Sequence, residues 1–187
     1  MARRGGRLRV VAGEAGGRLL DGPDGDGTRP TSDRVRQAMF NALESLDVVE
    51  GARVVDAYAG TGALGIEALS RGAARATFAD TDRGARAVVE ANLRTTGLDD
   101  RAVVLGADGV RAISDGGPWD LVLLDPPYAF AGWDELLAAA AASLAQGGLI
   151  VIESDREVAL PAPLGFVRSK RYGSTVVAFA SASGACP

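Results

Sequence analysis

An α/β fold built on a parallel sheet with helices on both faces is predicted by three observations. Beyond Gly51, short and nearly continuous apolar runs alternate with segments of helical periodicity, the pattern of strands buried on both sides. A glycine-rich turn, DAYAGTGALG over residues 56–65, joins the first apolar run to the first helix that follows it, where open α/β sheets form their ligand crevice. Near the C-terminus, GFVRSKRYGSTVVAFA (residues 165–180) reads as two strands meeting at Gly173-Ser174, which adds an antiparallel hairpin at one sheet edge.

The elements follow in order. Residues 7–12 (RLRVVA) alternate basic and apolar side chains as a half-buried strand does, and Gly16-Gly17 with Arg18-Leu19-Leu20 supply a hairpin partner. Residues 21–30 (DGPDGDGTRP) are turn chemistry. From Thr31 the pattern turns helical, with Val35, Met39, Leu43 and Leu46 on one face and Thr31, Ser32 and Asp33 as N-cap candidates. Residues 52–58 are a strand, 63–70 a short helix, 75–80 a strand, and 83–97 a helix ending at Gly97. Strands are expected at 101–108 and 119–125, a helix over 133–148 stopped by Gly147-Gly148, and a strand at 149–154. The organisation expected is a hairpin-and-loop extension over residues 1–30 and one main domain over 31–187.

Composition narrows the chemistry. The 187 residues suit one domain; 47% are apolar and 24% charged, with mean hydropathy +0.10, which excludes wholesale disorder. No run approaches the roughly 18–20 apolar residues of a membrane helix, and MARRGGRLRVV lacks the apolar run of a secretory signal; a cytoplasmic protein without membrane partner is expected. Histidine is absent and the one cysteine, Cys186, is next to last. That excludes His-containing triads, a disulfide framework and Cys- or His-rich metal sites, so no metal is expected. Net charge is −4, yet residues 1–20 hold five arginines (Arg3, Arg4, Arg7, Arg9 and Arg18) against Glu14, and Arg168, Lys170 and Arg171 form a second basic group. Either cluster can be solvated surface or a phosphate-contacting patch on an acidic body.

Two loops carry the chemistry. Gly60, Gly62 and Gly65 satisfy GxGxxG, and Asp80 ends the second strand twenty residues after Gly60; alone, this matches a dinucleotide fingerprint. Asp56, however, stands before the glycines, where a carboxylate repels a pyrophosphate and favours a ligand bearing ammonium or sulfonium. S-adenosylmethionine has both cations, an adenosine and no phosphate. Asp108 can accept from an adenine amino group, cap a helix, or do both. The fourth strand ends in Asp125-Pro126-Pro127-Tyr128. Prolines donate no backbone hydrogen bond, so the Asp125 carboxylate and Pro126 carbonyl are two acceptors beside the flat face of Tyr128. That set suits the planar exocyclic amine of an unstacked base. Cytosine C5 chemistry is disfavoured, because it needs a cysteine nucleophile.

These segments resemble the class I S-adenosylmethionine-dependent methyltransferases, on DAYAGTGALG and DPPY. Within them they resemble the RsmD family of 16S rRNA guanine-N2 methyltransferases, on RVVAGEAGGRLL, RPTSDRVRQAMFNAL and GALGIEALSRGA. The resemblance implies a Rossmann-like, seven-stranded, mostly parallel sheet with an N-terminal β-hairpin that engages RNA. It implies S-adenosylmethionine as donor, and as partner 16S rRNA within an assembled or partly assembled small ribosomal subunit, which suits the acidic charge. Carried over by position, Asp56, Ala59, Gly60, Thr61, Gly62, Asp80, Thr81, Asp108 and Gly109 hold the donor, with Arg29 and Thr31 near its carboxylate; Arg34 lies toward the RNA. Asp125, Pro126, Pro127 and Tyr128 clamp the target base. Asp80 stands where relatives often have glutamate, and Tyr58 where they often have phenylalanine.

Other readings differ in class. Adenine-N6 transfer in DNA or RNA uses the same clamp, while glutamine methylation goes with Asn rather than Asp before Pro-Pro-Tyr. A dehydrogenase lacks a hydride-transfer acid, the one lysine being Lys170. A non-catalytic RNA-binding module leaves DPPY unused.

Overall fold

The computed structural model describes residues 8–22 and 33–182. In chain order the elements are α1 (Asp33–Ser45), β1 (Arg53–Asp56), α2 (Ala63–Ser70), β2 (Arg75–Ala79), α3 (Arg83–Thr96), β3 (Ala102–Leu105), α4 (Gly109–Gly116), β4 (Trp119–Leu124), α5 (Trp133–Ser143), β5 (Leu144–Ser154), β6 (Gly165–Tyr172) and β7 (Thr175–Ser181). They build one seven-stranded sheet in the order β3-β2-β1-β4-β5-β7-β6. β1 to β5 pair in parallel, and β7 runs antiparallel to both β5 and β6. The expected α/β class, with its antiparallel hairpin at the edge, is what the chain adopts.

Period-two alternation splits the central strands between two cores. Val54, Leu121, Leu123, Leu149, Val151, Val177 and Phe179 face α1, α2 and α3. Val55, Val122, Leu124, Ile150, Ile152, Ala178 and Ala180 face α4 and α5. Burial on both sides is why these strands carry almost no polar residue; cutting Leu121 or Leu123 to Ala would cost about 2–5 kcal/mol.

The sheet changes direction of progression between β1 and β4, which lie side by side with Asp56 opposite Leu123. Both strands therefore release their following loops at one edge, side by side, and leave a crevice there. α3 is capped at both ends: the Asp82 side chain accepts from Ala85 N, and Gly97 takes φ 69°, a left-handed C-cap suited to glycine.

Three elements differ from expectation. The helix predicted over 133–148 stops at Ser143, and its last turn is instead the start of β5, where Leu144 (φ −70°, ψ 139°) pairs opposite Trp119. Local propensity lost there to sheet pairing at a bulge. The strand predicted at 101–108 spans only Ala102–Leu105. The following Asp108 begins α4, a two-turn helix too short to show periodicity, with its side chain accepting from Arg111 N.

Residues 8–22 are docked on the α1–α3 face. One antiparallel bridge, Arg9 with Leu19, joins their two arms, and Leu8, Val10, Ala15 and Leu20 are buried in that core. The anchor is Glu67, fully buried in α2, whose other residues except Ser70 are apolar. Its carboxylate accepts from Val11 N at 2.7 Å, Ala12 N at 3.0 Å and Arg71 Nε at 2.7 Å, with the Arg36 guanidinium 3.5 Å away. A buried carboxylate is tolerable because it is paired and hydrogen-bonded; the main-chain N–H groups of the segment supply much of that.

Candidate active site

Asp56 ends β1 with only 1% of its surface exposed. Its Oδ2 accepts from Gly65 N at 2.9 Å, while its buried Oδ1 has no hydrogen-bond partner among the described residues. Burial pushes its pKa from 3.8 up to about 7; the Gly65 hydrogen bond opposes the rise, and the neighbouring carboxylates of Asp125 and Asp80 add to it. Three carboxylates from β1, β2 and β4 thus converge at one edge of the sheet.

The glycine turn is shaped around them. Gly60 and Gly62 take φ 53° and 78°, which side chains rarely adopt. Asp80 ties the turn to the end of β2: its Oδ2 accepts from Gly60 N and its Oδ1 from Asp82 N, both at 2.9 Å. Ala59 N donates to Ala79 O at 3.0 Å. Thr61 O accepts from Asn92 Nδ2 at 2.8 Å. Arg86 donates to the carbonyls of Asp80 and Thr81, 2.9 Å each. Gly65 has a different reason to be glycine: a Cβ there would sit 2.3 Å from the Phe78 ring of β2.

Beside the turn, Asp108 is exposed at the α4 N-cap, and Gly109 is buried beneath Tyr58. Burial and then the Asp108 charge push the Tyr58 pKa up to about 12, so the phenol stays protonated. The Tyr58 ring meets Phe130 edge-on at 5.5 Å, and Phe130 meets Trp133 at 5.3 Å. This aromatic stack links the glycine turn to the loop after β4. In that loop Asp125 is half-buried, Pro126 buried, Pro127 exposed, and Tyr128 44% exposed. Phe130 N donates to Pro127 O at 2.8 Å. Arg156, just past β5, donates to Tyr128 O at 2.9 Å and Phe130 O at 3.0 Å.

Asp56, Ala59, Gly60, Thr61, Gly62, Asp80, Thr81, Asp108, Gly109 and Asp125 to Tyr128 accordingly line one edge. The basic residues are spread out. Arg168, Lys170 and Arg171 are exposed on β6, Arg34 is exposed at the start of α1, and Arg9 pairs with Asp33 at 3.5 Å. Arg18 donates to Thr95 O and Thr96 O, capping the end of α3 away from the crevice. Arg3, Arg4, Arg7, Arg29 and Thr31 lie outside the described residues.

Sequence reasoning missed Asn92 and Arg156. Asn92 also accepts from Asp21 N at 2.7 Å and donates to Asp21 O at 3.0 Å, so one side chain joins the docked N-terminal segment to the glycine turn. Its signal was available: a polar residue on the apolar stripe of α3, between Val89 and Thr96. Arg156 had none, since apart from its neighbour Asp155 its partners are distant backbone carbonyls.

The sequence profile of the family Conserved hypothetical protein 95 matches residues 8–181. The chain belongs to this family. Among its relatives, Ribosomal RNA small subunit methyltransferase D of Escherichia coli K12 is 38% identical over 158 residues, 83% of this chain and 79% of that protein. The protein of the same name from Haemophilus influenzae is 29% identical over 180 residues, 93% of this chain and 92% of that one. The solved structure of Escherichia coli yhhF superposes with TM-score 0.82 at 34% identity, over 94% of this chain and 97% of that one. The family is the one the RVVAGEAGGRLL, RPTSDRVRQAMFNAL and GALGIEALSRGA segments resemble, and its span takes in both loops of the crevice.

Proposed function

We propose that this protein transfers a methyl group from S-adenosylmethionine to the exocyclic N2 of a guanine in 16S rRNA, within an assembled or partly assembled small ribosomal subunit. The observation that carries the reading is the placing, at one switch point, of a buried carboxylate oxygen without a partner among the described residues (Asp56) beside the Asp125-Pro126-Pro127 loop, whose two prolines carry no N–H. The family relatives named as small-subunit rRNA methyltransferases supply the substrate class.

The residues suit a cationic donor. Asp56 Oδ1 is buried with nothing to accept from, and its neighbours Asp80 and Asp125 carry the same sign, so an ammonium or sulfonium brings the charge the crevice lacks. When bound, S-adenosylmethionine supplies an electrophilic methyl group on a cationic sulfur. Asp56 accepts from its amino group. Asp80, held by Gly60 and Asp82, turns its remaining lone pairs toward ribose hydroxyls, and Asp108 accepts from the adenine amine. The Asp125 carboxylate and Pro126 carbonyl accept the two N2 hydrogens of the guanine while Tyr128 stacks on its ring. Held so, the nitrogen lone pair points at the electrophile, and orientation rather than a strong base carries the rate. As the new C–N bond forms, the bond from the methyl carbon to sulfur would break and leave a neutral thioether, and the N2 proton, made acidic by alkylation, would pass to Asp125 or water.

The test is mass-spectrometric mapping of 16S rRNA from a strain lacking the gene, before and after treatment of its small subunits with purified protein and S-adenosylmethionine. Appearance of one N2-methylguanine is expected. Methylation at adenine N6, or none on RNA or particle, would overturn the assignment.

A further inference from the structure

A second depression lies beyond the catalytic loop, running from the same edge of the sheet, at Ser154 and Val176, down its α5 face to Phe166. The register sets its place: Ser154, at the end of β5, is opposite Val176 at the start of β7, which is opposite Arg171 near the end of β6. Because β5 is parallel to β4, the β6–β7 turn and the Asp125 loop leave the sheet on one side. Along that edge the chain presents the glycine turn, the DPPY loop, Arg156, and then the basic end of β6.

The cavity holds about 190 Å³, below the roughly 300 Å³ at which drug-sized sites begin, so it takes one ring system rather than a whole cofactor. Ile152, Val158, Val176 and Ala178 form an apolar floor, and Phe166, Ser154, Ser169, Arg156 and Glu157 stand around it. Phe166 is 51% exposed on the edge strand, an aromatic face left to solvent. Between residues 165 and 182 there are three basic residues and no acid, on a chain whose net charge is −4. An aromatic face, hydroxyls, a guanidinium and, on the same face, Arg171 opposite Val176 are the components that hold an unstacked base beside its phosphate. Arg156 belongs to this cavity and also holds the carbonyls of Tyr128 and Phe130, so the cavity wall and the catalytic loop share a side chain.

We propose that this cavity is a subsite for a single-stranded nucleobase flanking the methylated nucleotide, stacked on Phe166, with the adjoining phosphate at Arg171, which pairs opposite the cavity's Val176 and shares its face; Arg168 and Lys170, opposite Phe179 and Val177, lie on the other face of the edge strand. The inference rests on the RNA reading above and adds a second point of contact that orients the strand across the crevice. Filling it engages Arg156 from the far side of the DPPY loop.

Two measurements test it. In Phe166→Trp, titration with single-stranded RNA at low salt should quench the new indole fluorescence, whereas a polyphosphate of equal charge should not. Absence of quenching by RNA, or equal quenching by polyphosphate, overturns the subsite whether or not the protein methylates rRNA. In Phe166→Ala, KM for the small-subunit particle should rise about tenfold, the order expected for one lost stack, with kcat and S-adenosylmethionine affinity unchanged. An unchanged KM in an enzyme that still methylates guanine removes the subsite and leaves the proposed function standing. Loss of donor affinity instead would show that Phe166 supports the fold, and equally removes the subsite.

Discussion

Replacing Asp56 by Asn should make the ligand-free protein more stable at high pH and a poorer binder of its donor. The folded-state pKa is about 7 against an ordinary 3.8, so the unfolded chain gives up this proton first. Stability in the wild type therefore falls as pH rises from about 4 through about 7 and is level beyond. At about 1.4 kcal/mol per pH unit, the full penalty is roughly 4 kcal/mol, of which roughly 3 develops between about pH 5 and about pH 8.5. Asn keeps an acceptor for Gly65 N but puts an amide where Oδ1 has no partner, a pH-independent cost of about 1–3 kcal/mol. Near parity is expected at about pH 5, and a gain of about 1–3 kcal/mol at about pH 8.5. Urea unfolding of both proteins at the two pH values measures this, since other titrating groups cancel in the difference. Calorimetric titration should show donor affinity rising with pH through about 7 in the wild type and flat in Asp56→Asn, weaker by roughly tenfold or more. A stability difference that does not change with pH would refute the reasoning, because it would mean that Asp56 ionises in the folded chain as it does in water.

Asp125→Ala should abolish most turnover with donor affinity nearly retained, whereas Asp80→Ala should mainly weaken the donor, by about 1.5–3 kcal/mol for a lost charge-assisted bond; single-turnover assays beside calorimetry separate them, and equal loss of donor in both would remove Asp125 from the base clamp. Gly65→Ala puts a Cβ 2.3 Å from the fully buried Phe78 ring and should cost about 1–3 kcal/mol in urea unfolding; an unchanged midpoint would mean the ring has room to move. Deleting residues 1–20 removes Leu8, Val10, Ala15 and Leu20 from the core, at about 1.5–3 kcal/mol for each of the larger three. The truncated chain should unfold at much lower urea, near the edge of a typical total of about 5–15 kcal/mol; full stability would show that the segment is merely laid on the surface.

Local chemistry was legible in the chain because it is carried by adjacent residues. An acid ending an apolar strand and the glycines that must take positive φ lie within residues 56–65, and a second acid with the two prolines that remove donors within 125–128. The alternation of buried strands and helices likewise announces a covered parallel sheet, since backbone pairing and burial act at short period.

What only the tertiary structure decided is what distant segments do to each other. Asp56 is perturbed because folding buries it and, to a lesser degree, because β4 and β2 bring two more acids beside it. Asn92 spans the N-terminal segment and the glycine turn, and Arg156 grips a loop 26 and 28 residues away. The helix predicted to run to residue 148 gives up its last turn at a pairing with Trp119. Arg18, one of a basic cluster in the sequence, spends its charge on the carbonyl end of α3. Each of these depends on a partner far along the chain, and a free energy shared between two distant residues leaves no pattern in either one's neighbourhood.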